Sequence, residues 1–391
     1  MNLLVISAAC IVDVNRAPFI ALSNYENINL TLLIPFHKND FDSYNFKAEN
    51  KSKTFNIILS EIKGSHPRLE RLTDLQNIIE RVKPDSIILE FDVATLMTFQ
   101  AIKFSRKFKS KISFVALENF NRSFILESLI SALKFDFKQS LGALLTYFLL
   151  IFNRKSIYKT YCVSKDGREA MKYLGFSEDQ IVKIPLGIDT TLFYPYAESK
   201  ILTLRNKLNL NKITIAYFGR IIPEKGIDHL LMALSQIKDL EWQLLVDNFS
   251  HYKSDYFLTL KKIVEDYQLQ NRIIYFDAKH NEMPDYINCA DIVVLPSIVK
   301  NKFKEQYGRV VAEAICCGKI TLVSDSGALP ELIGDLGHVF QNTNINELVK
   351  KLKYLIINHE SIKKENYLKI VNRGVEILSS NKQAEIIYHT L

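Results

Sequence analysis

The sequence predicts an α/β protein built from two doubly wound, Rossmann-like domains that face each other across a cleft. Short apolar runs recur in two series along the 391 residues, and amphipathic stretches of helical period separate them. Pro185, Gly187 and Pro195 interrupt the chain between the two series. Apolar runs of this length predict strands buried on both faces, and their alternation with helices predicts parallel sheets covered on both sides.

The two series define the expected domains. Predicted strands of the first series are residues 3–7, 30–35, 86–90, 112–117, 161–164 and 181–185, with helices at 74–82 and 92–108. Predicted strands of the second series are residues 213–219, 242–246, 272–276, 292–296 and 320–324, with a helix at 227–237. We therefore assign residues 1–187 to an N-terminal domain and 188–371 to a C-terminal domain, and expect a helix over 372–391 to pack back on the first.

Composition excludes several classes of protein. A hydrophobic fraction of 48% with few glycines and prolines indicates a folded chain rather than a disordered one. None of the five cysteines forms a CxxC pair or lies near a histidine cluster, so we expect neither a zinc site nor a disulfide framework. This pattern of cysteines is typical of a protein of the reducing cytosol. The first seven residues lack a basic segment, and we expect them to form a strand rather than a signal peptide.

Positive charge is concentrated in one segment. Residues 101–160 contain eleven Lys and Arg against three Asp and Glu, a balance that suits nucleic acid, anionic lipid, a phosphorylated substrate or simply a solvated face. The apolar run 141–152 is shorter than the ~20 residues that span a bilayer, so it predicts a core helix or a helix lying in a membrane surface. Interleaved aromatic and basic residues favour the second, and we expect residues 124–155 to contact the inner face of a membrane.

Two acidic residues and a glycine mark the stretch 305–313 (EQYGRVVAE). We predict a helix with Glu305 at its start and Glu313 about two turns in. The N–H groups of Tyr307, Gly308 and Arg309 would then form an anion site at the positive end of the helix dipole. An ordinary helix with an acidic first turn is the alternative.

Two cations follow the first strand of the second series. Gly219 and Arg220 end that strand in the stretch 217–226 (YFGRIIPEKG), and Lys225 comes five residues later. Arginine grips phosphate with two parallel hydrogen bonds and lysine adds a point charge. A diphosphate site is predicted, with a solvated surface loop as the alternative.

These stretches resemble the retaining glycosyltransferases of family 4, which have the GT-B fold. The resemblance covers about residues 183–340 and rests on 184–193 (IPLGIDTTLF), 218–226, Pro296-Ser297, 305–313 and the continuation 318–333. Upstream, the run 11–16 (IVDVNR) resembles the opening of a bacterial polysaccharide-biosynthesis branch.

The resemblance implies roles for particular residues. Arg220 and Lys225 would hold the donor diphosphate and stabilise the leaving group, and Glu305 would contact the donor sugar beside the reacting carbon. Donor binding would further involve Gly219, Tyr307, Gly308, Arg309 and Glu313, the last at the ribose hydroxyls. The implied reaction is retaining, metal-independent and cofactor-free transfer from a UDP- or GDP-sugar to a glycan or lipid-linked acceptor, in the cytoplasm or at the inner membrane face.

The chain departs from the family pattern in three places. Residues 7–16 contain no glycine, so Asn15 or Arg16 would serve on the acceptor side. No histidine follows 112–117, so Glu118 or Asn119 would replace it. The stretch Asp247-Asn248-Phe249-Ser250 stands where a glycine-rich turn is usual, and this difference could alter which nucleotide is bound. These departures favour, as an alternative, a catalytically weak GT-B protein that binds a nucleotide sugar or a partner without turnover.

Two further classes receive less support. A Rossmann dehydrogenase would need a GxGxxG after a strand with an acidic residue downstream, and the sequence has none. Nucleic-acid binding would rest on the basic segment alone, and we do not expect it.

Overall fold

The chain folds into two compact units. The computed structural model describes residues 1–37, 55–64, 66–121, 123–134, 137–248, 254–300 and 303–391, without the side chains of Lys138 and His280. One unit comprises Met1–Pro185 with Gln383–Leu391, and the other comprises Leu186–Lys382. Each contains a mainly parallel sheet with helices, so the predicted α/β class with two Rossmann-like units is confirmed.

An eight-stranded sheet forms the N-terminal unit. Its strands are β1 (Asn2–Ile6), β2 (Asn29–Phe36), β3 (Asn56–Lys63), β4 (Arg71–Leu72), β5 (Ser86–Leu89), β6 (Lys111–Ala116), β7 (Ile157–Cys162) and β8 (Ile181–Lys183). Their order is β4-β3-β2-β1-β5-β6-β7-β8, and the β3–β4 pair is antiparallel. The described helices of this part are α1 (Ala17–Ser23), α2 (Leu75–Val82), α3 (Leu96–Ser105), α4 (Phe124–Leu133), α5 (Phe137–Arg154) and α6 (Lys165–Tyr173).

A six-stranded parallel sheet forms the C-terminal unit. Its strands are β9 (Ile213–Tyr217), β10 (Trp242–Asp247), β11 (Ile273–Phe276), β12 (Ile292–Leu295), β13 (Ile320–Ser324) and β14 (His338–Phe340), in the order β11-β10-β9-β12-β13-β14. The described helices after residue 186 are α7 (Glu198–Lys207), α8 (Ile227–Ser235), α9 (Asp255–Asp266), α10 (Met283–Cys289), α11 (Arg309–Cys316), α12 (Leu329–Ile333), α13 (Ile345–Ile357), α14 (His359–Glu376) and α15 (Ser380–Thr390).

The central strands carry the core of each unit. All four residues of β5 and of β12 are buried, as expected for parallel strands covered on both faces. Trp242 at the start of β10 is fully buried, and its indole N–H donates to the Ile237 carbonyl at 2.8 Å. Every strand predicted from an apolar run is present within a few residues.

The division between the units lies close to the expected place. It falls between Pro185 and Leu186, two residues before the expected boundary, and the returning stretch begins at Gln383 rather than at 372. Helix α14 packs against α11 and therefore belongs to the C-terminal unit. Within the N-terminal unit, Tyr388 of α15 stacks on Tyr25 with ring centroids 4.0 Å apart.

Three general features bear on the classes considered above. All five cysteines are buried free thiols. Across the described ranges, no group of three or more metal-ligating side chains is arranged to hold an ion. In the same part of the chain, no helix has both the length and the apolarity needed to cross a membrane.

Candidate functional site

The candidate site lies where the strand order of the second sheet reverses. From β9 the chain adds β10 and β11 on one side, and then returns to add β12, β13 and β14 on the other. Ligands of open parallel sheets bind outside the carboxyl ends of the strands at such a switch point. Gly219 and Arg220 follow β9 here, Ser297 follows β12 and Ser326 follows β13, so the predicted strand ends converge.

A buried ion pair occupies the centre of this edge. The Lys225 ammonium lies 2.5 Å from Glu305 Oε2, and the two side chains are only 11% and 9% exposed. The Ser297 hydroxyl donates to the same oxygen at 2.8 Å, and the Glu305 backbone N–H donates to Ser326 Oγ at 3.1 Å. Two of the predicted catalytic residues, 80 positions apart in the chain, are thus in direct contact.

Glu305 does not lie at a helix start, contrary to the sequence prediction. Helix α11 begins at Arg309, and Glu305 lies in the preceding loop. Gly308 is the N-cap residue and has φ +88°, a left-handed conformation that ends any helical path through it. A Cβ on Gly308 would lie 2.4 Å from Leu329 Cδ2, so another residue here would also have to displace that side chain.

Two more glycines allow close approach of backbone at the site. A Cβ on Gly226 would lie 2.1 Å from the Pro296 carbonyl oxygen, and one on Gly327 would lie 2.1 Å from that of Glu305. Both residues have positive φ, +67° and +55°. The loops that carry Lys225 and Glu305 are therefore held against their neighbours by glycine contacts.

Gly327→Ala is expected to displace Glu305 and to lower the free energy of unfolding by about 1–3 kcal/mol, the usual cost of strained backbone. Urea unfolding measures the effect. Gly142→Ala in α5 is the control, because nothing lies within 4 Å of the added Cβ and alanine favours helix. Equal stability of Gly327→Ala and the unchanged protein would contradict the assigned close approach.

Glu313 lies in the second turn of α11, as predicted, and is almost completely buried. Its Oε1 accepts a hydrogen bond from Arg309 Nε at 3.2 Å. Burial raises the pKa of the Glu313 carboxyl from 4.5 to about 7, against the opposing effect of the Arg309 charge. The carboxyl therefore titrates near neutral pH.

This shift predicts a stability difference that depends on pH. Because its folded-state pKa is raised, Glu313 favours folding fully below pH 4.5 and loses that contribution as pH rises to about 7. Relative to the unchanged protein, Glu313→Gln should therefore gain up to about 3 kcal/mol between pH 4 and pH 8. Denaturant unfolding at both pH values measures the gain. A difference that does not change with pH would contradict the shifted pKa.

A cavity of about 780 Å³ adjoins these residues within the C-terminal unit. Arg220, Lys225, Glu305, Arg309 and Glu313 all line it, together with Gly219 and Gly308. Arg220 is exposed, and its carbonyl accepts a hydrogen bond from the buried Tyr217 hydroxyl at 2.8 Å, which fixes the turn after β9. Polar and charged groups thus converge on one opening.

Aromatic rings form another part of the cavity wall. Phe218 meets Phe276 edge-to-face at 5.7 Å, and Phe276 stacks on Tyr286 at 4.5 Å. Phe257, Ala278 and Met283 extend the apolar lining. Flat apolar surface beside charged groups suits a ligand with a ring at one end and anionic groups at the other.

Tyr307 contributes its position in the loop rather than its side chain. The side chain is 6% exposed, and burial raises the pKa of its hydroxyl. It packs inside the C-terminal unit immediately before the left-handed Gly308. Sequence reasoning gave no role to Ser297 and Ser326, although both follow strands whose carboxyl ends meet at the site.

The predicted acceptor-side residues lie in the N-terminal unit, and their side chains bond to groups of their own loops. The Arg16 side chain is buried, donates to the Cys10 carbonyl at 2.7 Å and pairs with Asp13 at 2.7 Å. The Asn15 side chain donates to the Ala9 carbonyl at 2.7 Å.

The second predicted acceptor-side pair follows β6. Glu118 Oε1 accepts the backbone N–H groups of Asn119 and Phe120, each at 3.2 Å, and Asn119 is buried. Arg122, next in that stretch, lies outside the described residues, as do Phe249 and Ser250 of the other unusual loop.

A contact that sequence reasoning missed lies at the switch point of the first sheet, between β1 and β5. Ser7 follows β1, Glu90 follows β5, and the Ser7 hydroxyl donates to the Glu90 carboxylate. Both residues directly follow buried strands, and this position is the sequence signal that could have identified them.

Part of the chain matches a known protein family. Residues 201–372 match the family described as glycosyl transferases group 1. The matched residues lie within the C-terminal unit. The match includes Arg220, Lys225, Glu305 and Glu313.

Similar curated proteins align with part of the chain. The GPI3 subunit of phosphatidylinositol N-acetylglucosaminyltransferase from Saccharomyces cerevisiae is 24% identical over 259 residues, covering 61% of this chain and 54% of that protein. The GDP-mannose-dependent monoacylated alpha-(1-6)-phosphatidylinositol monomannoside mannosyltransferase of Corynebacterium glutamicum is 28% identical over 180 residues, covering 44% and 46%. The chain spans about half the length of these relatives.

Solved structures match over the whole chain and show the fold. A glycosyltransferase from Rickettsia africae ESF-5 superposes with a TM-score of 0.74 at 16% identity, covering 99% of this chain and 96% of that one. Anabaena Alr3699/HepE in complex with UDP superposes with a TM-score of 0.73 at 16% identity, covering 100% and 99%. The GT-B fold expected from the resemblance is therefore confirmed.

Proposed function

We propose that the protein is a retaining glycosyltransferase that moves a sugar from a nucleotide-diphosphate donor to a glycan or lipid-linked acceptor. The observation that carries the proposal is the buried Lys225–Glu305 pair beside exposed Arg220, at the switch point of a group 1 domain. The 780 Å³ cavity next to it offers cations for a diphosphate and aromatic wall for a base.

The cations would act on the leaving group. Departure of a nucleoside diphosphate builds negative charge, and fixed positive groups aimed there lower the barrier. Arg220 can hold two phosphate oxygens at once. The Lys225 ammonium has three N–H donors and gives one to Glu305, so it can contact the donor and its carboxylate partner together. Because these two cations and the start of α11 supply positive charge, no metal is invoked.

The anomeric configuration of the sugar is retained because the acceptor attacks the same face from which the leaving group departs. The bond between the anomeric carbon and the diphosphate oxygen breaks through an oxocarbenium-like state, and the acceptor oxygen bonds to the same face. The acceptor proton passes to the departing diphosphate. The Glu305 carboxylate would stabilise the positive charge that develops on the sugar, and Glu313 would accept hydrogen bonds from the ribose.

The donor is proposed to be a UDP- or GDP-sugar. Anabaena Alr3699/HepE was solved with UDP-glucose, and the Corynebacterium relative is described as GDP-mannose-dependent. The acceptor is proposed to be a cell-surface polysaccharide or glycolipid precursor, met in the cytoplasm or at the inner membrane face. The relatives from yeast and Corynebacterium are named for phosphatidylinositol-based acceptors.

A thermal-shift screen of UDP-, GDP- and ADP-sugars tests donor binding. A ligand at a hundred times its Kd stabilises the folded state by about 2.7 kcal/mol, so one nucleotide class should raise Tm by several degrees. Arg220→Ala should reduce that rise. If no donor raises Tm at millimolar concentration, the proposed donor site is contradicted.

A binding protein without turnover is the second candidate. Its support is the loop after β1, where no glycine occurs and Arg16 is already bound to Cys10 and Asp13. Turnover of the bound donor with a membrane extract as acceptor would exclude it, whereas tight binding with neither transfer nor donor hydrolysis would favour it.

A further inference from the structure

Helices α4 and α5 form a hairpin whose outer face is apolar. On α4, five large apolar side chains are 42–80% exposed: Ile125, Leu126, Leu129, Ile130 and Leu133. On α5, six are 39–68% exposed: Phe137, Leu141, Leu144, Leu145, Phe148 and Phe152. Their spacing of three or four residues places them on one face of each helix. Such contiguous apolar surface is rare on a protein that contacts water alone.

The opposite face of the hairpin is anchored in the N-terminal unit. Phe124 and Leu150 belong to the buried core, and Leu149 is 9% exposed. The Asn153 side chain donates to the carbonyls of Val93 and Thr95 at 2.7 and 3.1 Å. The hairpin is therefore a fixed part of the unit, and its outer residues are exposed although the inner ones are packed.

A groove of about 600 Å³ lies beside the hairpin. Leu69, Phe124, Leu141, Leu145 and Leu149 give it apolar walls, while the polar part of its lining includes His66, Arg68 and Glu127. Because Leu141 and Leu145 are also members of the exposed face, the groove is continuous with that face.

Gly142 opens the groove. It lies between Leu141 and Ala143 in the groove wall, and a Cβ built on it meets no atom within 4 Å. Glycine inside a helix costs stability relative to residues with a side chain, so folding of α5 alone gives no reason for it. Its absence of a side chain leaves space that a ligand can fill.

Charge identifies the kind of surface that fits the hairpin. The hairpin stretch 124–155 has four basic residues against two acidic ones, within the longer basic segment 101–160. Lys134 and Lys155, beside the ends of α4 and α5, are exposed. An apolar helical face with basic flanks matches an anionic lipid surface, where hydrocarbon meets negatively charged headgroups.

We propose that the α4–α5 hairpin binds the surface of an anionic lipid bilayer, and that the groove at Gly142 takes the hydrocarbon chain of one lipid from it. Leu141 and Leu145 would pass the chain from the exposed face into the groove. This inference does not require sugar transfer, since lipid binding is measured without turnover and the donor site lies in the other unit.

Vesicle co-sedimentation of the full chain tests the surface. Vesicles of phosphatidylcholine mixed with phosphatidylglycerol should bind the protein, and pure phosphatidylcholine should bind it less. Leu129→Glu with Leu133→Glu should weaken binding by about tenfold or more, because charged side chains are costly in hydrocarbon. Leu368→Glu in α14, 73% exposed, is the matched control and should bind normally.

Two results would overturn the surface assignment. One is unchanged vesicle binding by the double variant. The other is a stable dimer of the chain that the double variant dissociates while vesicle binding persists, which would make the face an interface between copies. Unchanged UDP or GDP binding by the variants would separate failure here from failure of the proposed donor site.

Gly142→Leu tests the groove. The added side chain should project into the groove and weaken the binding of dodecyl phosphate below its micelle concentration, measured by calorimetry. It should also leave vesicle sedimentation intact and raise helix stability. Gly142→Ala is the control and should keep most of the dodecyl phosphate affinity. Equal affinity for Gly142→Leu and the unchanged protein would show that the chain does not enter the groove.

Discussion

Glu305→Gln is expected to abolish measurable sugar transfer in a protein that still folds, with some loss of stability because the buried Lys225 loses its carboxylate partner. Glutamine keeps the shape of the side chain, and its carbonyl oxygen can still accept from Lys225 and Ser297, which now lie 2.5 and 2.8 Å from Glu305 Oε2. It removes the negative charge that would stabilise an oxocarbenium-like sugar. Loss of one aligned electrostatic group at a reacting centre typically costs about 100–1000-fold in kcat.

Transfer from the donor found in the thermal-shift screen to a membrane extract measures this effect. Glu241→Gln is the matched control, because its side chain is 74% exposed and pairs only at the surface with Lys212. Near-normal turnover by Glu305→Gln, with the control also normal, would remove Glu305 from the catalytic set.

Lys225→Met is expected to lower the free energy of unfolding by about 3 kcal/mol or more, because a buried ion pair that loses one partner leaves an uncompensated charge. Glu305 would be that charge, since its side chain is 9% exposed and lies against Lys225. Methionine retains most of the aliphatic length of lysine. The same variant should weaken donor diphosphate binding, since one of the two proposed phosphate cations is gone.

A double-mutant cycle separates the two effects. Lys225→Met with Glu305→Gln removes both charges and should recover most of the stability lost in the single variant, whereas the donor affinity should stay low. Urea unfolding and calorimetry give the two quantities. Additive losses of stability would show that the two side chains do not interact as the structure has them.

Much of the fold follows from local pattern. Strands buried on both faces, such as β5 and β12, are continuous apolar runs and could be placed within a few residues. Strands β3, β4 and β14 were missed. Strand β3 mixes Ser60, Glu61 and Lys63 with apolar residues, while β4 and β14 contain only two and three residues. Tertiary pairing rather than local propensity makes such segments strands.

The sequence predicted which types of residue form the site better than it predicted the contacts between them. Arg220 and Lys225 could be placed because they follow a recognisable strand. The helix expected to begin near Glu305 was wrong, because Gly308 has a left-handed conformation and the helix begins only at Arg309. The Lys225–Glu305 pair joins residues 80 positions apart, and no local pattern predicts it.

Calorimetric titration of the full chain with UDP and with GDP tests the central claim most directly. We predict that one nucleoside diphosphate binds and that Arg220→Ala weakens its affinity by about 1.5–3 kcal/mol, tenfold or more, as expected for loss of a charge-assisted contact. Arg81→Ala, an exposed arginine at the end of α2, should bind normally. Failure of the unchanged protein to bind either nucleotide, or equal affinity of Arg220→Ala, would contradict a donor diphosphate site at this edge of the sheet.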